Sequence, residues 1–342
     1  MAAAERILVI GPAWVGDMVM AQSLFIMLHR QGATVDVVAP QWSVPLLARM
    51  PQVRRAVALP VGHGRFGLAE RWRIGRRLRA EHYGQAIVLP RSFKAALIPF
   101  FAGIPCRTGF RGEMRYGLLN DVRTLDKTQL PRVIDRYVAL GLPRDAALPP
   151  QDIPLPQLRI DAENRARLVQ QLGLDLQRPA VAFMPGAEYG PAKRWPLQHY
   201  AALARELAAS GRQVWIIGSA KELTDGAAIA AAAPEALNLC GRTRLEDAAD
   251  LLSLASAAVS NDSGLMHVAA ASGVPLVALY GSSSPFYTPP LAAQARVLYR
   301  ALSCSPCFKR VCPLGDTPCL TDIEPQQVLA ALHSLWEREP NA

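Results

Sequence analysis

Short apolar segments alternate along the chain with segments of helical periodicity, and this alternation limits the fold more than any other feature. Four apolar segments lie in the first part of the chain and five in the second: RILVI (6–10), TVDVVA (34–39), RAVAL (55–59), AIVLP (86–90), AVAFM (180–184), QVWII (213–217), AAVS (257–260), LVALY (276–280) and RVLY (296–299). Helical patterns such as 196–210 and 245–256 separate several of them. Strands that alternate with helices are typical of parallel sheets, so we predict an α/β fold.

A proline-rich segment, GLPRDAALPPQDIPLPQ (141–157), separates the two groups of predicted strands. Proline interrupts both helices and strands, so this segment suits a linker. We therefore predict two doubly wound, Rossmann-like parallel-sheet domains, at 1–150 and 158–320, that face a central cleft. We predict that a last helix, within 325–342, packs back on the N-terminal domain, with the C-terminal domain as the alternative. Ligands of open parallel sheets bind beyond the carboxyl ends of the strands, so residues that follow strands are the most informative.

The composition narrows the class of protein. The 342 residues suffice for two domains, and with 51% hydrophobic and 19% charged residues the chain can bury a large core. The net charge of +9 indicates an anionic partner: a nucleic acid, a membrane surface or a phosphorylated substrate. The longest apolar segment, AALIPFFAGI (95–104), is too short to span a bilayer, and we predict a buried helix there. The N-terminus lacks the pattern of a signal peptide, so we expect a cytoplasmic protein with reduced cysteines.

The loop GPAWVGDMVM (11–20) follows the first predicted strand and leads into a helix. Gly11 and Gly16 permit a tight turn and a close backbone approach, as in loops that hold phosphate. Asp17, however, stands where a nucleotide-binding loop carries lysine and serine, and its carboxylate would repel phosphate. Two interpretations stay open: Asp17 caps or complements the helix N-terminus, or it is a general base that points into the cleft.

The loop FMPGAEYGPAKRWP (183–196) follows the first predicted strand of the second domain. Its Lys193 and Arg194 can neutralise a diphosphate, or they form a solvated basic pair. The helix after this loop begins near Pro196, because proline is favoured at the first helical position.

The loop SNDSGLMHVAAASG (260–273) also joins a strand to a helix. Asp262 or Ser263 can cap that helix, whose free N–H groups then form an anion site. Gly264 permits a ligand to approach closely. His267 lies one turn into the helix, where it either packs in the core or points back to the anion site.

These loops exclude other nucleotide-binding classes. No predicted strand is followed by G-x-G-x-x-G, and TVDVVAPQ lacks the acid that binds an adenosine ribose, which excludes the dinucleotide-dependent dehydrogenases. The absence of G-K-[ST] excludes a P-loop protein. Aromatic residues are not interleaved with the basic segments, so we expect no nucleic-acid partner, and nucleic-acid binding remains only as an alternative from another class.

Taken together, the loops resemble the ADP-heptose:lipopolysaccharide heptosyltransferases, which are glycosyltransferases of family 9. The segments that carry the resemblance are GPAWVGDMVMAQSL, PGAEYGPAKRWP, NDSGLMHVAAA, LPRSFKAALIPFFAGIP (89–105) and RGEMRYGLLNDVRTLDK (111–127). The resemblance implies a GT-B fold, with the acceptor on the N-terminal domain and ADP-heptose on the C-terminal domain. It is greatest for the type II enzymes, which transfer L-glycero-D-manno-heptose to the first heptose of the inner core; the alternative is type I, which acts on Kdo.

The resemblance also implies an inverting transfer that requires no metal or other cofactor for catalysis. The catalytic base of the family falls on Asp17. We assign the donor site to residues of the second domain: Gly186, Ala187, Lys193, Arg194, Asp262, Ser263, Gly264 and His267. This assignment agrees with the chemistry, because direct displacement needs one base and a diphosphate leaving group needs cations and helix N–H groups.

The implied acceptor is Hep-Kdo2-lipid A, an anionic glycolipid at the inner face of the cytoplasmic membrane. We assign acceptor binding to residues of the first domain: Gly16, Arg91, Lys94, Arg111 and Arg115. The arginine-rich segment ERWRIGRRLRAEH (70–82) either faces anionic lipid or forms a solvated helical face.

Four cysteines, Cys304, Cys307, Cys312 and Cys319, follow one another in a C-x2-C-x4-C-x6-C pattern. Four thiols this close in a reducing compartment can bind a structural zinc, although the spacing fits no standard zinc finger. Free or partly oxidised thiols and an iron–sulfur centre are the alternatives. Cys106 and Cys240 stand alone, and we expect both in the core.

Overall fold

The computed structural model describes residues 5–62 and 64–337, and the chain divides into two compact units, Met1–Pro156 and Gln157–Ala342. The division falls at the end of the proline-rich segment. The elements of the first unit are β1 (Arg6–Ile10), α1 (Val15–Arg30), β2 (Thr34–Pro40), α2 (Val44–Leu47), β3 (Val53–Leu59), α3 (Leu68–Leu78), β4 (Gln85–Val88), α4 (Leu97–Phe101), β5 (Cys106–Phe110), β6 (Asp121–Arg123) and α5 (Val133–Gly141).

The sheet of the first unit has the strand order β3-β2-β1-β4-β5-β6, with every neighbouring pair parallel. The central strands β1, β2 and β4 are almost completely buried, as expected where helices cover both faces of a parallel sheet. Strand order reverses between β1 and β4. In doubly wound folds the ligand crevice lies at that reversal, outside the carboxyl ends of the two strands.

The second unit repeats this arrangement. Its elements are α6 (Ala162–Leu172), β7 (Ala180–Met184), α7 (Leu197–Ala209), β8 (Gln213–Ile216), α8 (Leu223–Ala232), β9 (Ala236–Asn238), α9 (Leu245–Leu252), β10 (Ala257–Asn261), α10 (Gly264–Ser272), β11 (Leu276–Tyr280), β12 (Ala295–Tyr299), α11 (Pro318–Thr321) and α12 (Pro325–Trp336). The parallel sheet has the order β12-β11-β10-β7-β8-β9, so strand order reverses between β7 and β10. Each unit is therefore a doubly wound, Rossmann-like α/β fold, as predicted.

The last helix contacts the second unit, which is the alternative given for it in the sequence analysis. α12 packs against α7, β11 and β12 of its own unit. Its apolar side chains Val328, Leu332 and Leu335 belong to the core of the second unit, beside Trp195 and Phe183. The spacing of these three residues at i, i+4 and i+7 forms one apolar stripe, which explains the burial.

The predicted buried helix in AALIPFFAGI is shorter than expected. A 3-10 turn, Phe93–Ala96, precedes the short α4. Ile98 is completely buried, whereas the side chain of Phe100 is exposed. Within the described ranges, none of the helices combines the length and the hydrophobicity that a membrane crossing requires.

Candidate active site

The loop after β1 places Asp17 at the carboxyl edge of the first sheet. α1 begins after Trp14, which occupies the N-cap position, so Asp17 lies in the first helical turn and Gly16 is buried beside it. Asp17 is therefore not the N-cap residue itself, although an acid in the first turn does complement the helix dipole. From α5, the Tyr137 hydroxyl donates a hydrogen bond of 3.0 Å to Asp17 Oδ1, which fixes the orientation of the half-buried carboxylate.

The loops after β4 and β5 carry the predicted acceptor residues. β4 lies directly beside β1, so the loop that contains Arg91 flanks the reversal point together with the Asp17 loop. The Arg91 and Arg111 side chains are exposed. Lys94 is half-buried, and its Nζ donates a hydrogen bond of 3.2 Å to the Arg65 carbonyl.

Arg115 differs from the other predicted acceptor residues, because it is only 2% exposed. Its guanidinium donates hydrogen bonds to the carbonyls of Pro90 at 2.6 Å and Phe110 at 2.5 Å, with a longer bond to Ser92. Burial, together with the nearby charge of Arg91, lowers the pKa of Arg115 to about 10. This geometry makes Arg115 a positioning residue for the Arg91 loop.

The centre of the predicted donor site is an ion pair between the loops after β7 and β10. Lys193 Nζ lies 2.5 Å from Asp262 Oδ2, and the two side chains are 17% and 5% exposed. Lys193 is the last residue of a 3-10 turn, Pro191–Lys193. Its Nζ lies 5.2 Å from the centre of the Tyr189 ring. Because β7 and β10 are the strands that flank the reversal of the second sheet, this ion pair lies where the fold predicts a ligand.

The N-terminus of α10 adjoins this ion pair in the chain. Ser263, not Asp262, is the N-cap residue, and its hydroxyl accepts a hydrogen bond of 3.4 Å from the Met266 N–H. Gly264 is the first helical residue, so no side chain covers the first turn at that position. The N-terminus of a helix favours anions through its free N–H groups and its dipole.

His267 is buried in α10, with 4% of its surface exposed. Burial lowers its pKa to about 4, and the positive charge of Lys193 acts in the same direction, whereas Asp262 opposes it. His267 is therefore neutral at pH 7 and can take part in hydrogen bonding, but it does not add a positive charge to the anion site.

This burial predicts a pH dependence of stability. An unfolded histidine has a pKa of about 6.5, above the folded value. The unfolded state therefore binds more protons below pH 6.5, and the stability that comes from neutral His267 is lost as the pH falls toward 4. We expect wild type to lose roughly 3 kcal/mol more than His267→Gln between pH 7 and pH 4. Urea unfolding of both proteins across this range measures the difference, and parallel curves would contradict it.

The remaining predicted donor residues belong to the same loop after β7 as Lys193. Arg194 Nη1 lies 3.0 Å from Asp225 Oδ2 in a partly exposed ion pair. Ala187 is buried. Gly186 lies against Glu222, because a Cβ at residue 186 would stand 2.9 Å from Glu222 Cγ and Cδ. A larger residue at position 186 would therefore displace Glu222.

Several residues that matter to the site were not predicted. Asn261, at the end of β10, is completely buried; it accepts a hydrogen bond of 3.0 Å from the Trp195 N–H and donates one of 2.6 Å to the Pro185 carbonyl. It thus ties the Lys193 loop to β10. After β11, the hydroxyls of Ser282 and Ser283 are buried and have no hydrogen-bond partner in the described part of the chain.

The four clustered cysteines line one small cavity of about 80 Å³. Cys319 is buried, Cys304 is exposed, and the other two are half-buried. Burial, together with the other three thiols, raises the pKa of Cys319 to about 11. Across residues 5–62 and 64–337, no three His, Cys, Asp or Glu side chains stand close enough to hold a metal ion. The structure therefore brings the thiols to one cavity but not to the distances of a metal centre.

The segment between these cysteines contacts the donor loops. The Tyr189 hydroxyl donates a hydrogen bond of 2.7 Å to the Phe308 carbonyl, and the Ala192 N–H donates one of 3.1 Å to the Arg310 carbonyl. The Phe308 N–H in turn donates to the Ser282 carbonyl at 2.7 Å. The cysteine-rich segment therefore supports the backbone next to Lys193.

Two successive doubly wound domains, each with a parallel sheet and a reversal of strand order, are the architecture of the GT-B fold. The model of glycosyltransferase family 9 (heptosyltransferase) matches residues 71–317, and the chain belongs to this family. It is 50% identical to lipopolysaccharide heptosyltransferase 2 of Salmonella typhimurium over 98% of this chain and 99% of the relative. The corresponding enzyme of Escherichia coli is 49% identical over the same shares. A solved structure of E. coli ADP-heptose lps heptosyltransferase II superposes with a TM-score of 0.88, at 46% identity, over 98% of this chain and 99% of that chain.

Proposed function

We propose that the protein is a type II heptosyltransferase. It transfers L-glycero-D-manno-heptose from ADP-heptose to the first heptose of the lipopolysaccharide inner core, with inversion at the anomeric carbon. The similarity to lipopolysaccharide heptosyltransferases 2 along nearly the whole chain supports this choice over type I, which acts on Kdo. The proposed acceptor, Hep-Kdo2-lipid A, also agrees with the net charge of +9.

In the proposed reaction, Asp17 removes the proton from the 3-hydroxyl of the first core heptose. The acceptor oxygen then forms a bond to the anomeric carbon of the donor, and the bond from that carbon to the ADP oxygen breaks. Lys193 and the N-terminus of α10 stabilise the negative charge that develops on the diphosphate. The observation that carries the proposal is the Lys193–Asp262 pair beside the capped start of α10, because it combines a cation with a helix N-terminus at the reversal point.

The proposal is tested by ADP release in the presence of ADP-heptose and defined acceptors. We expect turnover with Hep-Kdo2-lipid A and little turnover with Kdo2-lipid A that lacks the first heptose. The opposite preference would make the protein a type I enzyme. The one-bond coupling between C1 and H1 of the transferred heptose distinguishes its two anomers, and a product with the donor's anomeric configuration would refute the proposed mechanism.

We propose that the transfer requires no metal, and that a zinc ion bound by the four cysteines has a purely structural role. Accordingly, chelator treatment should leave the initial rate unchanged. Because the thiols share a cavity but do not stand at ligand distances in the described structure, zinc binding would draw their side chains together. Protein purified without added metal should contain about one zinc per chain, the stoichiometry of a four-thiolate site. Elemental analysis measures this ratio, with Cys106→Ser as the control and Cys312→Ser as the variant that loses the metal. Metal-free wild type that shows six free thiols after denaturation would refute the zinc prediction and leave the transferase proposal intact.

We also propose that the protein works at the inner face of the cytoplasmic membrane, because the lipid part of its acceptor is held in that bilayer. This location requires a peripheral contact that brings the acceptor loops of the first unit close to the lipid headgroups.

A further inference from the structure

The first unit exposes four large apolar side chains on two elements that pack together. Phe66, Leu68, Trp72 and Phe100 are 48%, 50%, 52% and 43% exposed. Single exposed apolar residues are ordinary, but a group on adjoining elements indicates an interaction site. Phe66 lies in the loop two residues before α3, Leu68 and Trp72 lie on α3, and Phe100 lies on α4.

α3 and α4 are held together closely enough to form one surface. A Cβ at Gly75 would stand 2.6 Å from Phe101 Cβ and 2.8 Å from the Ile98 carbonyl oxygen, so only glycine permits this approach. Arg79 Nε also donates a hydrogen bond of 2.8 Å to the Phe101 carbonyl. We call the exposed apolar group and the arginines around it the α3–α4 surface.

The charge on the α3–α4 surface is strongly positive. Five exposed arginines lie on or next to α3: Arg65, Arg73, Arg76, Arg77 and Arg79. The single acid between residues 65 and 80, Glu70, pairs with Arg73.

Cations also lie over the exposed rings. Arg76 Cζ is 5.7 Å from the centre of the Trp72 ring, and Arg107 Cζ is 5.9 Å from the centre of the Phe100 ring. Aromatic rings that alternate with arginines are typical of proteins that lie in the headgroup region of a membrane.

The α3–α4 surface continues into the predicted acceptor loop. Lys94 Nζ donates to the Arg65 carbonyl at 3.2 Å, and the Phe66 and Phe93 rings stack with their centres 6.4 Å apart. A surface that contacts lipid here places Lys94 next to the headgroups. This is the position that a glycolipid acceptor requires, because its sugars extend only a short distance from the bilayer.

We propose that the α3–α4 surface binds the anionic surface of a phospholipid bilayer and thereby positions the acceptor loop. The role of this surface in positioning the acceptor loop rests on the proposed function. Binding of the surface to the bilayer does not, because it requires no acceptor. Three residues of the arginine-rich segment are not part of the α3–α4 surface. Arg71 is buried and its Nε donates a hydrogen bond of 2.8 Å to the Phe66 carbonyl, and Ile74 and Leu78 are in the core, so these three do not take part.

The experiment measures cosedimentation of the full chain with phosphatidylcholine vesicles that contain or lack phosphatidylglycerol, without any acceptor. We expect binding to the anionic vesicles that weakens as salt is raised. Each arginine near such a membrane changes the partition coefficient about fivefold, so Arg76→Gln/Arg77→Gln should lower it about 25-fold. Leu68→Ser/Trp72→Ser should also lower binding, including the part that persists at high salt.

Matched substitutions on the second unit provide the control. Arg178→Gln/Arg205→Gln removes two exposed arginines, and Leu223→Ser removes a side chain that is 53% exposed. These variants should bind like wild type, and all variants should keep wild-type turnover on a short, water-soluble acceptor. Equal losses in the two sets of variants would overturn the proposal. So would binding that appears only when Hep-Kdo2-lipid A is added, because the surface would then recognise the acceptor and not the bilayer.

Discussion

Asp17→Asn is expected to lower turnover by about 10²–10⁴-fold, the usual contribution of a general base. Asparagine keeps the size of the side chain and can still accept the hydrogen bond from Tyr137, but it cannot remove a proton from the acceptor hydroxyl. The affinity for ADP-heptose should change little, because the proposed donor residues belong to the other unit. Initial rates of ADP release at saturating donor and acceptor, together with donor binding by calorimetry, measure both quantities.

Two further variants separate a base from an acid that only complements the helix dipole. Asp145→Asn changes an exposed aspartate of the same unit and should leave turnover unchanged. Tyr137→Phe removes the hydrogen bond that orients Asp17 and should lower turnover by about tenfold or less, since one neutral hydrogen bond contributes roughly 1 kcal/mol. If Asp17 acts only on the helix dipole, Asp17→Asn should instead cost a fraction of 1 kcal/mol in stability and leave turnover near normal.

The strands that could be predicted from the sequence are those with a continuous apolar run, and they include the half-buried edge strands β3 and β12. AVAFM and LVALY are continuous apolar runs, and the structure places β7 and β11 at the predicted residues. The strands without such a run were not predicted: CRTGF in β5, DVR in β6 and ALN in β9. β6 and β9 have three residues each, which is too short for an apolar pattern to stand out from the flanking loops.

The loops of the candidate site could be predicted because parallel strands end at one edge of a sheet. The contacts within the site could not. Lys193 and Asp262 are 69 residues apart in sequence, and only the order of strands in the sheet brings them together. Asn261 was overlooked for the same reason, because its partners Trp195 and Pro185 are 66 and 76 residues away in sequence. The burial of Arg115 among backbone carbonyls could not be predicted either, because its partners Pro90 and Phe110 come close only through the fold.

Lys193→Met should weaken ADP binding by about 10–150-fold, the range that one charge-assisted hydrogen bond provides. Methionine retains most of the length of lysine and removes the charge. The loss is increased by Asp262, which is 5% exposed and would face the diphosphate without its partner cation. Arg194→Met is the matched comparison next in sequence. Since Arg194 is paired with Asp225 at a partly exposed position, we expect a loss of about fivefold at most.

The double variant Lys193→Met/Asp262→Asn decides whether Lys193 binds the donor or only neutralises Asp262. Removal of both partners of a buried ion pair is often neutral for stability, whereas removal of one is destabilising. We therefore expect the midpoint temperature of thermal unfolding to be lower in Lys193→Met than in wild type, and to recover in the double variant. ADP affinity, measured by calorimetry on the same samples, should stay low in both, because neither contains the cation for the diphosphate. Recovery of ADP affinity together with stability would show that the ion pair is structural and that the diphosphate is bound by other groups.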